Sequence, residues 1–132
     1  MKKQVIHPRG LIKRPFYSHV VKVGDTIHIA GQVARDENGN VVGAGDFRAQ
    51  AEKIFENLQL CLGAAGATLN DVVSTTCYLT NMSCSPILAE ITKKYFGEEA
   101  PPTATWVMVS SLALPEFLLE IEAIAVVDQP GH

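Results

Sequence analysis

Two carboxylates in an otherwise apolar run are the side chains best placed to do chemistry here: Glu120 and Glu122, in Leu118-Leu119-Glu120-Ile121-Glu122-Ala123-Ile124-Ala125-Val126-Val127. The run has the composition of a mid-sheet strand, where a carboxylate needs a partner, a route to water or a raised pKa. The two glutamates have the same parity, so a regular strand puts both on one face. Either that face is open to solvent at this end of the sheet, or a carboxylate stands at the mouth of a pocket and works as a general acid or base. Other reactive groups are less well placed. His19 and His28 fall in strand-like sequence with no second ligand at metal spacing, so no metal site is expected. Ser110-Ser111 lacks the Gly-x-Ser-x-Gly setting of a nucleophilic serine.

The elements that must position Glu120 can be read in order. Residues 1–15, with Pro8, Gly10 and Pro15, read as an irregular arm or a short edge strand. Residues 18–23 and 26–30 are β runs around the hairpin signal Gly24-Asp25. Gly31-Gln32 follows, and a glycine there permits close approach of a ligand or another chain. A polar turn at 36–40 leads to a short strand, Val41-Val42. Asp46 can cap a helix to about Ala65, whose Ala51, Ile54, Phe55, Leu58, Cys61, Leu62 and Ala65 form one stripe, with Gly66 suited to the left-handed exit. Residues 71–79 read as a strand. Ser85-Pro86 looks like an N-cap and N1 proline for a helix carrying Ile87, Leu88, Ile91 and Tyr95 to Gly97. Pro101-Pro102 leads into a strand at 105–110, and Leu114-Pro115 turns the chain into the last one. The order β-β-(β)-α-β-α-β-β implies an α+β layer with both helices on one face of a mixed sheet. The last strand is apolar on both parities, so the uncovered face is expected to pack against copies of itself in a closed homo-oligomer.

The 132 residues, 47% hydrophobic and 19% charged, suit a single globular domain, 1–132, without linker or repeat. The net charge of −3 and isoelectric point near 5.7 argue against nucleic acid as the main partner. Met1-Lys2-Lys3 leads into polar sequence, and no apolar run approaches the roughly 20 residues that span a bilayer, so neither a secretory leader nor a membrane is expected. Cys61 and Cys77 read as packing residues and Cys84 as a turn residue. An odd cysteine number without metal spacing suits a reducing cytoplasm.

Tyr17-Ser18-His19 followed by Val21-Lys22-Val23-Gly24-Asp25, Ile29-Ala30-Gly31-Gln32, Glu56-Asn57-Leu58, Ala64-Ala65-Gly66-Ala67, Asp71-Val72-Val73, Tyr95-Phe96 and Glu120-Ile121-Glu122-Ala123-Ile124-Ala125 occur in that order. This string closely resembles the Rid family, also called YjgF-type proteins or reactive imine/enamine deaminases, and in older naming endoribonuclease L-PSP or translation inhibitors. The resemblance runs from about residue 15 to 127. It implies a chorismate-mutase-like α+β domain assembled as a homotrimer, with a metabolite cleft at each subunit interface and no cofactor. In catalytic members a glutamate opening Glu-Ile-Glu-Ala positions the hydrolytic water, and a tyrosine near the first strand lines the pocket. Those positions are Glu120 and Tyr17, and Gly31 also matches. The serine before Gly-Gln is here Ala30, the asparagine of the second helix is Ala89, and the carboxylate-clamping arginine falls at Ala104. Thr105 lies beside that position, and Trp106 stands where a smaller residue is usual.

A lost bidentate guanidinium–carboxylate pair, at roughly 1.5–3 kcal/mol per charged hydrogen bond, weakens a small 2-imino acid by about two to four orders of magnitude. The expected pocket is wider, more apolar and more aromatic, suited to a larger or ring-derived enamine such as a muconate type. Arg14, three residues before Tyr17, is the candidate to replace the arginine, and Glu122 is expected to be structural, paired across the trimer. The alanines at polar positions leave a non-catalytic metabolite-binding trimer as the alternative. Acidic charge and the lack of a basic-aromatic surface pattern speak against a ribonuclease.

Overall fold

Ten elements follow in the chain of the computed structural model, which describes residues 1–128; residues 129–132 of the expected domain lie outside the described residues. The strands are β1 (Lys3–Ile6), β2 (Val20–Val23), β3 (Thr26–Gln32), β4 (Val72–Leu79), β5 (Thr103–Met108) and β6 (Leu119–Val126). The helices are α1 (Phe47–Ala64) and α2 (Ser85–Phe96), and short 3-10 turns precede β4 and α2. The sheet order is β1-β2-β3-β6-β4-β5, with β4 and β5 parallel and every other pair antiparallel. The glutamate-bearing strand β6 therefore lies mid-sheet, as its composition implies. The fold is α+β, a six-stranded mixed sheet with two helices.

Period-two patterning assigns the two faces. Leu119, Ile121, Ala123 and Ala125 of β6 are buried with Ile27 and Ile29 of β3 and Cys77 and Leu79 of β4. The same cluster takes Ile54, Phe55, Leu58, Cys61 and Leu62 from α1 and Leu88 and Ile91 from α2, so both helices cover one face. Burial alone pushes the Cys61 and Cys77 thiols up to about 12, which makes them packing groups rather than nucleophiles. The other face carries Glu120, Glu122, Ile124 and Val126, with Ile124 and Val126 exposed. Among the described residues no helix is long and apolar enough to cross a membrane.

Local chemistry accounts for the helix ends. Asp46 Oδ1 accepts from Ala49 N at 3.1 Å, and Gly66 takes φ +81° after Ala65. Of the two readings of the arm, the short edge strand is the one formed, β1, paired with β2. Three expectations differ in detail. Val41 makes only an isolated bridge to Arg35, because the chain turns tightly at 36–40 and positive φ at Gly39 and Gly43 bounds the segment. The second helix begins at Ser85 itself with Cys84 as cap, because Asn81 already winds the chain by accepting from Ser83 N at 3.0 Å. β5 begins two residues earlier than read, because Thr103 Oγ1 donates to Val73 O at 3.1 Å and Thr75 Oγ1 donates to Thr103 O at 3.2 Å.

Candidate functional site

A bulge in β3 creates the site. Ile29 pairs with Ala123 and Gln32 with Ile121, so Ala30 and Gly31 together oppose Glu122 alone. An extra residue bends a strand and re-aims its neighbours. Here it brings the Gly31 backbone against the next carboxylate of β6. A Cβ built at Gly31 would lie 2.7 Å from the Glu120 carboxyl carbon and 2.9 Å from its Cγ. Any side chain at position 31 would occupy the carboxylate's place.

Glu120 lies on the wall of a cavity of about 330 Å³ that Arg14, Phe16, Tyr17, Ala30, Gly31, Val33, Arg35 and Ala113 complete. Burial raises its pKa, and the negative charge of Glu122 raises it further. Glu122, two residues on, accepts a 2.5 Å hydrogen bond from Tyr78 Oη, so it has a partner within its own chain. That bond, with desolvation and the two carboxylate charges, raises the tyrosine pKa and keeps the phenol a donor. The two glutamates thus share a face but not a setting.

The arm that carries Arg14 and Tyr17 is held by a buried histidine. His19 Nε2 is 2.8 Å from Ile12 O, and a carbonyl only accepts, so this nitrogen carries the proton. Nδ1 then accepts from the Gln32 amide at 3.1 Å, and the same amide donates to Ala30 O at 3.1 Å. The Tyr17 ring meets the His19 ring edge-on with centroids 5.4 Å apart. Among the described residues no group of three or more His, Cys, Asp and Glu could hold a metal ion.

Of the residues singled out in the sequence, Glu120, Tyr17, Gly31, Ala30 and Arg14 meet in this cavity. Ala89, on α2, and Ala104, Thr105 and Trp106, on β5, do not line it within the chain. β5 is the far edge strand, separated from β3 by β4 and β6. Trp106 pairs in register with the buried Cys77 and packs against the helix-side core. Arg35, Val33, Phe16 and Ala113 were not anticipated. No sequence signal marks Arg35; in the structure Gly31, Val33 and Arg35 are half-buried and alternate with buried Gln32 and Ala34. The parity that places Gly31 in the cleft extends to the guanidinium.

This geometry has a family. The profile of the endoribonuclease L-PSP family matches residues 12–127. The chain belongs to the Rid (endoribonuclease L-PSP) family. A RutC family protein of Pyrococcus abyssi is 41% identical over 111 residues, covering 83% of this chain and 84% of that protein. The 3-aminoacrylate deaminase RutC of Acinetobacter baylyi is 31% identical over 127 residues, covering 95% and 98%. Among solved structures, RidA from an Antarctic Psychrobacter superposes with a TM-score of 0.85 at 35% identity, covering 94% of this chain and 99% of that one.

The bulge gives a direct test of how Glu120 is held. Gly31→Ala should leave the melting temperature within a few degrees of wild type, because a carboxylate at the end of a flexible side chain can swing aside. The Glu120 carboxyl should then titrate closer to the ordinary glutamate range. Carboxyl-carbon NMR titration of both proteins reads this, and an unchanged titration would show that the carboxylate does not depend on the missing Cβ.

Proposed function

We propose that this protein is a hydrolytic deaminase of an imine or enamine metabolite, working as a homotrimer. The observation that carries the reading is a half-buried Glu120, raised in pKa, on the wall of a cavity, with its carboxylate lying where a Cβ at position 31 would be. A relative at 31% identity is named 3-aminoacrylate deaminase, which supports the same class of reaction. In the proposed step the Glu120 carboxylate takes a proton from water as the water oxygen adds to the C=N carbon. That proton returns to the nitrogen to give a carbinolamine, and Glu120 then carries the hydroxyl proton to the amino group, which leaves as ammonia as the C–N bond breaks and the carbonyl forms. An enamine substrate first moves a proton to carbon to become the imine.

The trimer reading rests on the uncovered sheet face, where Val73, Val107, Ile124 and Val126 are exposed, and on the family resemblance. It also gives a role to the exposed Ala89, Ala104 and Thr105, which would complete the cleft from a neighbouring copy, whereas Trp106 packs on the core of its own chain. Ala30, Ala113, Val33, Phe16 and Tyr17 already make the wall apolar and aromatic. That composition favours a larger or ring-derived enamine over a small imino acid. The test is ammonia release from imines generated in situ, one set from small aliphatic amino acids and one from aromatic ones. Turnover should be faster for the aromatic set, and the solution mass should be three times the 14.3 kDa chain. Faster turnover of the aliphatic set would sink the substrate reading, and a monomer would sink the assembly.

A second reading, a trimer that binds its metabolite without converting it, is favoured by alanine at 30, 89 and 104. Absence of ammonia release with binding retained would select it.

A further inference from the structure

Arg35 is half-buried, lines the cavity with Glu120, and is fixed before any ligand arrives. Its Nη1 donates to Gly39 O at 2.8 Å, and its Cζ lies 4.9 Å from the centroid of the buried Phe117 ring. The backbone that carries it is held as well. Asn57 Nδ2 donates to Val33 O at 3.2 Å and to Arg35 O at 3.1 Å, and Asp36 Oδ1 accepts from Asn38 N and Asn40 N, both at 2.9 Å. Arg14 lines the same cavity, with its Cζ 5.4 Å from the Phe16 ring centroid. Among the described residues neither arginine forms an ion pair. Two arginines therefore line a cavity in whose lining Glu120 is the one carboxylate, leaving an excess positive charge.

We propose that Arg35 is the carboxylate-binding residue of the cleft, and that the substrate is an anion bearing a planar carboxylate beside an aromatic or otherwise flat group. The inference deepens the deaminase reading, since it takes the cleft as the place where substrate meets Glu120. A guanidinium offers planar paired donors that match a carboxylate, and one already immobilised loses little freedom on binding. The aromatic rings of Phe16 and Tyr17 on the same wall suit a flat body attached to that carboxylate. Arg14, on the arm, adds charge without the same anchorage. Seated on Arg35, the carboxylate directs the rest of the ligand across the cavity towards Glu120.

Benzoate and its neutral amide, benzamide, are the probes, titrated by NMR or calorimetry into the whole protein. Wild type should bind benzoate roughly tenfold tighter than benzamide, and Arg35→Leu should erase the difference. Arg35→Lys keeps the charge and a donor for Gly39 but not the planar fork, and should weaken benzoate roughly tenfold with an unchanged melting temperature. The lysine variant is decisive by itself if the leucine variant does not fold. A purely structural Arg35 would leave the benzoate preference intact in the lysine variant, and that result, or no preference in wild type, overturns the proposal. Glu120→Gln separates the two readings. Benzoate binding lost only with Arg35 upholds the clamp even if no deamination is found. Turnover lost with Glu120→Gln while Arg35→Lys binds benzoate as wild type does removes the clamp and leaves the deaminase.

Discussion

Glu120→Gln should give a folded protein with ammonia release lowered by about 10²–10⁴-fold, the usual contribution of one positioned acid–base group. The amide keeps the size and one acceptor oxygen but cannot take a proton from water. The same variant should be more stable than wild type at neutral pH. Burial, reinforced by Glu122, raises the Glu120 pKa in the fold, so the folded protein binds this proton more tightly than the unfolded chain. Stability is then fully present below the unfolded carboxyl value, about 4.3, and is lost as pH rises through the raised folded value. Glutamine removes that loss, so the melting curves of the two proteins should converge in acid and separate towards neutrality. Turnover by wild type should run the other way, falling as pH drops through the raised pKa and the carboxylate is protonated. Calorimetry from pH 4 to 8 beside a pH–rate profile checks both. A variant that loses activity and also loses stability at neutral pH would mean that Glu120 serves as a structural partner and not as a strained base.

The opposed signs of these effects explain why Glu120 stood out in the sequence. A carboxylate among Leu, Ile and Ala on a mid-sheet strand breaks the local pattern, and such breaks gather at functional sites. Parity then placed Glu120 and Glu122 on one face, which the sheet bears out. Their different settings were not legible, because Tyr78 reaches Glu122 from a strand more than 40 residues earlier in the chain. Within its own chain Glu122 is already paired with that phenol. Arg35 was missed for a related reason. It follows the end of β3 in a turn-rich stretch, where an arginine reads as solvated, and only the bulge at Ala30-Gly31 carries strand parity through to it. A bulge is a tertiary event with no strong local sequence signature. Element boundaries failed where side chains rather than hydrophobic period set them, as at Asn81 before α2 and Thr103 at the start of β5.

Gln50→Leu should be among the most destabilising near-isosteric changes in the chain, at about 3–5 kcal/mol. Helical period places Gln50 beside the buried stripe of α1, and the residue is wholly buried. Its amide nitrogen donates to Gly43 O at 3.0 Å and to Glu116 O at 2.8 Å, and its oxygen accepts from Leu118 N at 2.9 Å. Leucine fills nearly the same volume, so little of the loss comes from a cavity. It comes from three backbone groups stripped of partners, each stranded group costing about 1–3 kcal/mol less whatever water relieves. Against a total stability of about 5–15 kcal/mol, this is a large fraction. Chemical denaturation, with the slope on denaturant unchanged, would measure it. The location of the bonds matters for the site as well. Glu116 and Leu118 are the residues by which the chain enters β6, and Glu120 follows two residues later. Phe117, between them, supports the Arg35 guanidinium. Loss of the Gln50 clamp should therefore loosen both the acid and the cation of the cleft, and Gln50→Leu should weaken benzoate binding even where the protein remains folded. Gln50→Glu keeps the acceptor for Leu118 N but sets a carboxylate against two carbonyl oxygens, so it should recover part of the stability only in acid, where the protonated group donates to one of them. If leucine and glutamate were equally harmful in acid, the bond to Leu118 would contribute nothing, and the link from α1 to the start of β6 would have to be sought in packing alone.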